Sequence, residues 1–429
     1  MRILLTGATG FIGRAVAQAL GARGHTVLRV LRRPPAGAQD TVQADFAAVP
    51  RQDWWVSRLA GVDAVVNAVG ILREQGRQSF RALHTEAPAE LFRACAAAGV
   101  GTVVQVSALG ADDSAHTGYH LSKKAADDVL RGLPLRGAIV QPSLVYGPGG
   151  SSTALFDKLA VAPVLPFPAA GRMAVQPVHL DDVVAGIVRL VEAPPPRVET
   201  FAFAGSRPLQ LREYLGELRQ AMGERRRQWI VPMPAAWFRL GASIAGHVPG
   251  SMLDRDTAAM LLAGNATQQN ALPQLLGRAL LPPGDFIAPA LRETARREAV
   301  LDLWLPVLRV ALALMWIWTA IVSLGLYPVQ DSYALLARVG LHGAIASIAL
   351  YGAALLDLLL GVLTLAAPAR WRRPVWLLQL ALVAGYTVLV TFFLPEYWLH
   401  PYGPVTKNLP ILATIALLWA LEPPARRMS

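Results

Sequence analysis

The sequence predicts two folds in one chain: a doubly wound parallel α/β sheet with a small helical lobe, followed by an all-α domain of four transmembrane helices. Three observations carry that expectation. Residues 1–13, MRILLTGATGFIG, place a short apolar run directly before three glycines, Gly7, Gly10 and Gly13. Apolar runs of strand length then alternate with helical stretches through about residue 150, as in a parallel sheet covered on both faces. Beyond residue 298 the composition turns abruptly apolar. The chain of 429 residues exceeds the usual ~150 per domain. Its apolar fraction of 54% and positive mean hydropathy exceed a soluble norm. The expected domains are 1–298, with the lobe mainly 151–298, and 299–429.

Charge and cysteine usage narrow the partners. The formal net charge is +11, but the arginines fall in short clusters beside apolar segments and no aromatic-studded basic groove appears. An anionic membrane surface is therefore the expected partner, and nucleic acid is not. Cys95 is the single cysteine, so neither a disulfide framework nor a thiol metal site is expected. The first apolar run is too short for a signal peptide and is used at once as strand and turn.

Taken in order, the opening run reads as a strand, a tight turn and a helix over residues 11–22. The first glycine lets the backbone turn, the second lets it approach a ligand, and the third lets helix and strand pack closely. The free N–H groups of the helix then face a pyrophosphate. Residues 25–31 read as the second strand, ending in Arg32 and Arg33. An NAD-preferring site places an acidic residue near here, whereas a guanidinium pairs with a 2′-phosphate and stacks on adenine, so NADP(H) is expected, with NAD(H) second. A solvated basic loop is the alternative. A short strand at 41–44 precedes Asp45, and a strand at 63–69 contains Asn67 and Ala68 and leads to Gly70. These four residues either lie along the cofactor or form turns. Residues 102–106 form the fifth strand, with Ser107 at its carboxyl end. In the helix that begins near Thr117, the i,i+4 spacing puts Tyr119 and Lys123 on one face. An ammonium beside a phenol favours the phenolate, so a lowered Tyr119 pKa is expected.

TGATGFIG, the serine after the fifth strand and Tyr-x-x-x-Lys together resemble the short-chain dehydrogenase/reductase superfamily, with its Rossmann fold, in the extended or atypical branch. QPSLVYGPGG (141–150) and QPVHLDDVV (176–184) match further family segments, and the resemblance covers about residues 1–295. It implies that Thr6, Gly7, Thr9, Gly10, Phe11, Ile12 and Gly13 bind the cofactor, and that Pro142 and Val145 lie beside the nicotinamide. It further implies that Tyr119 is the acid/base, that Lys123 binds the nicotinamide ribose and tunes Tyr119, and that Ser107 polarises the substrate oxygen. The nearest branch is that of the nucleotide-binding accessory subunit of respiratory complex I and its bacterial relatives, some of which bind NADPH without evident turnover.

The middle region is punctuated by prolines and suits a helical substrate lobe. Leu144, Tyr146, Phe156, Leu159, Phe167 and Met173 are the expected lining of a cleft between sheet and lobe. Residues 229–232 and 235–245 read as one apolar helical stretch, too short to span a bilayer, that is either lobe packing or a membrane-facing surface. His179, Asp181 and Asp182 come closest to a metal-ligand grouping, but a helix cap is the preferred reading, and no metal is expected.

Four apolar stretches follow, at about 307–327, 341–366, 375–394 and 405–421, each long enough for a ~30 Å hydrocarbon core. Arg292, Arg296 and Arg297 before the first, Arg370, Arg372 and Arg373 between the second and third, and Arg426 and Arg427 after the fourth predict a multi-pass protein of a bacterial-type inner membrane. The nucleotide domain and both termini would be cytoplasmic. Trp304, Trp371, Trp376, Tyr397, Trp398 and Tyr402 suit interfacial belts. Asp357, deep in the second span, is a functional candidate or a carboxyl satisfied by a neighbouring helix. The four helices, that acidic residue and the Lys-Asn-Leu-Pro run at 407–410 resemble the DoxX-like membrane family, some members of which are linked to quinone chemistry. The expected activity is a membrane-anchored, NADPH-dependent oxidoreductase with a lipophilic carbonyl or alcohol substrate. The alternative is a non-catalytic NADP(H)-binding scaffold or redox sensor of a membrane complex. An oligomer or a membrane-complex partner is compatible with either.

Overall fold

The computed structural model describes residues 1–168, 173–246 and 254–423. The chain divides into two compact units, Met1–Val300 and Leu301–Ser429. The first begins with β1 (Arg2–Thr6), α1 (Phe11–Ala22), β2 (Thr26–Leu31), β3 (Thr41–Gln43), α2 (Gln52–Val56) and β4 (Ala64–Asn67). A π-helical turn (Arg81–Glu86), α3 (Ala87–Ala98), β5 (Thr102–Val106), α4 (Gly118–Arg131) and β6 (Gly137–Pro142) follow. Next come β7 (Val145–Tyr146), α5 (Ser151–Val161), β8 (Val164–Pro168), β9 (Ala174–Val175), β10 (Val178–His179), α6 (Leu180–Glu192) and β11 (Val198–Phe203). The unit continues with β12 (Leu209–Gln210), α7 (Leu211–Ala221), β13 (Trp229–Met233), α8 (Ala235–Ala245), α9 (Arg255–Ala263) and α10 (Leu272–Leu276).

Seven strands form one parallel sheet in the order β11-β6-β5-β4-β1-β2-β3. β4, β5 and β6 are buried at every position. That follows from their Val- and Ile-rich sequences, each such side chain contributing about 1.5–3 kcal/mol when removed from water. Alternation sends Ile3 and Leu5 into a core with α1 and α6, and Leu4 into the opposite core with Trp55, Phe92 and Leu130. Strand order reverses at β1, and a crevice opens there beyond the carboxyl ends of β1 and β4.

The lobe differs from expectation at one element. Residues 229–232 belong to a strand, β13, paired in parallel with β8, so that Trp229 stands opposite Val164 and Val231 opposite Pro166. Pro166, Pro168 and Pro232 lack an N–H, which confines this ribbon to the edge of the fold.

The second domain's helices are α11 (Arg292–Ile321), which ends in a π-helical turn (Val322–Leu326), α12 (Val329–Arg338), α13 (Gly343–Ala366), α14 (Ala369–Phe393) and α15 (Asn408–Leu421). Among the described residues, three helices are long and apolar enough to cross a membrane. α15 has 14 residues, about 21 Å at 1.5 Å per residue, and falls short of a full span. Residues before Asn408 form turns, with Gly403 at φ 52°, so the helix starts later than the apolar run suggests. Further corrections follow the same logic. The segment with Arg292, Arg296 and Arg297 already belongs to α11, residues 328–340 contain α12, and Arg370, Arg372 and Arg373 lie in the first turns of α14. Arg426 and Arg427 lie outside the described residues. Trp376 is 2% exposed and donates its indole N–H to Glu422, so it belongs to the bundle interior rather than a belt.

Large apolar side chains cover the outside of this domain, Ile348 and Phe392 being 73% and 76% exposed. Polar groups gather inside. Trp316 donates its indole N–H to Gln379 (2.9 Å), whose amide donates to the Thr364 hydroxyl (2.9 Å). Glu422 accepts from Arg309 (2.5 Å) and Arg372 (3.3 Å) through its carboxylate and from Arg373 (3.1 Å) through its backbone carbonyl. Asp357 is also buried, and its Oδ1 has no hydrogen-bond partner among the described residues.

Candidate active site

The turn after β1 is built as the glycines require. Gly7 has φ 70°, and a Cβ there would lie 2.4 Å from the Ala68 carbonyl oxygen. A Cβ on Gly13 would lie 2.1 Å from the Gly7 oxygen, so this residue lets α1 close onto the turn. At Gly10 a Cβ would meet only that same oxygen, at 3.1 Å, so this position is left open for a ligand. Gly10 caps α1 without a side-chain hydrogen bond, leaving the first N–H groups of the helix for an anion.

This turn floors a cleft of about 940 Å³. Gly7, Thr9, Gly10, Arg32, Arg33, Asp45, Ala68 and Gly70 all line it, as does Arg29, which the sequence did not single out. Asp45 also accepts the Ala47 N–H at 3.1 Å, so it caps a short turn in the cleft wall. Thr6 and Asn67 are buried in the sheet instead. The Thr6 hydroxyl donates to Asn67 Oδ1 (2.5 Å) and the Asn67 amide to Gln105 (2.7 Å), tying β1, β4 and β5 together below the cleft. A glycine cradle, an uncapped helix N-terminus and three arginines suit an adenine dinucleotide.

A second cavity, of about 260 Å³, is lined by Ile12, Ser107, Tyr119, Pro142, Leu144, Val145 and Phe156, together with Leu72 and, from α9, Thr257, Met260 and Leu261. Phe11 packs against Gly150. Four of the expected lining residues lie elsewhere. Tyr146 donates its hydroxyl to Asp157 (3.1 Å) and stacks on Phe286, Met173 is core, and neither Leu159 nor Phe167 reaches the wall. His179 accepts the Asp181 N–H and caps α6, while Asp182 pairs with Arg278 at 2.6 Å.

Lys123 lies on α4 between Tyr119, in the cavity wall, and Val69 and Gly70, in the cleft wall. Its ammonium donates to the carbonyls of Val69 (3.0 Å) and Val106 (3.1 Å) and lies 3.2 Å from a Cβ built on Gly70. One turn further along α4, at the same i+4 spacing, is Asp127, which the sequence reading missed. It is fully buried and accepts the Ser107 hydroxyl at 2.5 Å. Burial pushes Asp127 up to about 6 and Lys123 down to about 8. Tyr119 is pushed up to about 12, first by burial and then by the Asp127 charge. The expected lowering of the phenol by Lys123 is therefore absent, because burial outweighs an ammonium already engaged by two carbonyls.

His84, in the π-helical turn, was also missed. Its Nε2 accepts the Ile71 N–H (3.0 Å), which makes Nδ1 the protonated nitrogen, donating to the Ser122 hydroxyl (3.0 Å). Ser122 in turn donates to the Tyr119 carbonyl at 2.8 Å. The ring packs edge-on against Tyr119, with centroids 5.5 Å apart. The sequence offered no periodic signal for it, since a π-turn breaks the 3.6 repeat. Arg73, in the loop that follows β4, donates to the Gly246 carbonyl (2.5 Å) and pairs with Asp254 (3.0 Å), linking that loop to the ends of α8 and α9.

This sheet order, glycine turn and Tyr-Lys helix define the first domain as an NAD(P)-binding fold of the oxidoreductase type. Residues 3–200 match the NAD dependent epimerase/dehydratase family and residues 313–416 the DoxX-like family. The chain belongs to the NAD dependent epimerase/dehydratase family and carries a DoxX-like membrane domain at its carboxyl side. It is 31% identical over 227 residues to a 3-diazoavenalumate denitrifying reductase of a Streptomyces species, covering 45% of this chain and 73% of that one. It is 30% identical over 201 residues to a ceramide reductase of Caulobacter vibrioides, which is 45% of this chain but only 61% of the relative's length. Among solved structures, an NADPH-dependent quinone oxidoreductase from Escherichia coli, complexed with NADPH, aligns at TM-score 0.53 and 21% identity, covering 66% of this chain and 97% of its own. A short-chain dehydrogenase/reductase superfamily protein from Agrobacterium tumefaciens with bound NAD aligns at 0.51 and 19%, covering 70% and 99%. At these identities the likeness establishes the fold.

Proposed function

We propose that this protein is a membrane-anchored oxidoreductase that prefers NADPH to NADH and acts on the carbonyl or alcohol group of a lipophilic substrate. One observation carries the reading: Tyr119 and Ser107 face a mainly apolar cavity, and Lys123, one turn from Tyr119 on α4, reaches Val69 and Gly70 in the wall of a glycine-floored cleft lined by Arg29, Arg32 and Arg33. The bound dinucleotide would supply hydride. Tyr119, whose proton is held well beyond neutral pH, gives it to the substrate oxygen, and Ser107, fixed by Asp127, orients that oxygen. Arg32 and Arg33 hold the 2′-phosphate. The relative named a ceramide reductase acts, by its name, on a lipid, which accords with this cavity. The arginines in the first turns of α11 and of α14 favour a cytoplasmic nucleotide domain in an inner membrane.

A second reading, a non-catalytic NADP(H)-binding scaffold or sensor, draws support from the raised Tyr119 pKa and from the engagement of Lys123 by two carbonyls. Titration of the detergent-purified full chain with NADPH and NADH tests the cofactor. Tighter NADPH binding that Gly10→Asp abolishes is expected, and binding of neither dinucleotide sinks the proposal. Tyr119→Phe then separates the two readings: turnover with a carbonyl substrate falls about 10²- to 10⁴-fold with NADPH binding retained if Tyr119 is the acid, and unchanged cellular function favours the scaffold.

A further inference from the structure

The lobe carries exposed apolar side chains on two packed elements, α8 and the β8–β13 ribbon, that the site does not use. On α8, Trp237, Leu240 and Ile244, at i, i+3 and i+7, are 63%, 51% and 63% exposed, whereas Ala242 on the opposite side is buried. The stripe thus points away from the protein, the reverse of an ordinary amphipathic surface helix. α8 packs against β8, and the outward side of the β8–β13 ribbon is also apolar. Val164 and Trp229, paired across it, are 51% and 62% exposed, and Val231 follows on the same side at 47%. Arg225, Arg226 and Arg227 lead into β13 and are exposed, as is Arg239 on α8. The Arg227 guanidinium stands 5.0 Å above the Trp229 ring.

We propose that this face docks into the headgroup region of an anionic phospholipid bilayer, with the apolar residues entering the interface and the arginines contacting lipid phosphates. Two observations select lipid as the occupant. Aromatic and aliphatic side chains ringed by arginine match an anionic interface in charge and polarity. The same chain also carries three helices of membrane length, so a bilayer is within its reach. The docking rests on the membrane-anchored reading and adds to it a location for substrate entry. α9, the partner of α8 in the lobe, contributes Thr257, Met260 and Leu261 to the cavity wall, so docking of α8 would bring the helix pair that borders the cavity to the membrane.

The test uses the full chain in nanodiscs, one set of phosphatidylcholine alone and one containing phosphatidylglycerol. Cys95, the single natural cysteine, is buried with its thiol pushed up by burial, so labelling is confined to an introduced site. An environment-sensitive NBD probe is attached after Ile244→Cys or, as a control, after Glu199→Cys on the exposed edge of β11. With doxyl-labelled lipid in the disc, the position-244 probe is expected to lose about half its emission in anionic discs while the position-199 probe is unchanged. The triple change Arg225→Glu, Arg226→Glu and Arg227→Glu should reverse that loss. Water-like emission without quenching at position 244 overturns the proposal. So does a blue-shifted but unquenched probe, which indicates a second copy or a protein partner on this face. NADPH titration of the same samples reports on the cofactor reading separately, so failure of docking and failure of the nucleotide site are distinguishable.

Discussion

Both domains have apolar interiors, but they differ in what they expose and in where their polar groups gather. In the nucleotide-binding domain the interior is a seven-stranded apolar sheet, and Thr6, Asn67, Gln105, Asp127 and Lys123 are among the polar groups buried within it beside the site. In the membrane domain the outer surface is apolar, and the interior collects the Trp316–Gln379–Thr364 chain and the Glu422 cluster. The difference follows from the solvent. In water, apolar burial drives packing, whereas in lipid it no longer separates inside from outside, and close packing and internal hydrogen bonds decide which helices meet.

The largest effect that would sharpen this contrast lies at Glu422. Its buried carboxylate answers Arg309 and Arg372, which are partly exposed, so Glu422→Ala removes both ion pairs and keeps only the backbone-carbonyl contact to Arg373. The membrane domain should lose about 3 kcal/mol, the low end for a buried pair because the arginines are partly solvated, read as a lower thermal-unfolding midpoint in detergent with NADPH binding intact. An unchanged midpoint would show that ion pairing does not hold these helices. A smaller effect is expected from a close backbone approach in the nucleotide domain. Gly13→Ala drives a methyl onto the Gly7 carbonyl and should cost about 1–3 kcal/mol, seen as a lowered midpoint together with weakened dinucleotide binding. The smallest comes from His84, which burial holds down at about 2. Between that value and the ordinary 6.5, the unfolded chain binds the extra proton. Stability is therefore full above pH 6.5 and falls as the pH drops, by up to about 1.4 kcal/mol per unit. His84→Gln should flatten the pH dependence of the unfolding midpoint between pH 5 and 7, and an unaltered slope would assign the acid sensitivity to other groups.

Much of the first domain was legible because its signals are local. Gly7, Gly10 and Gly13 sit where the turn demands them, and Tyr119 and Lys123 share a helix face by spacing alone. The same spacing extended by one turn reaches Asp127, which became visible only once its contact with Ser107 showed that this face is buried. The β13 strand was misread because an apolar run broken by Pro232 and Pro234 carries no clear period, and only its pairing with β8 makes it a strand. Glu422 had no signal at all, since its partners come from residues 309, 372 and 373. Nor could spacing reveal that burial outweighs Lys123 at the Tyr119 hydroxyl, because desolvation is a property of the assembled fold.

Arg73 joins the loop that walls the dinucleotide cleft to the helix pair whose second member walls the apolar cavity. A ligand that draws this loop inward must carry the helix pair with it or break two charge-assisted contacts. Occupancy of one compartment is thereby linked to the affinity of the other, and linkage of this kind is reciprocal.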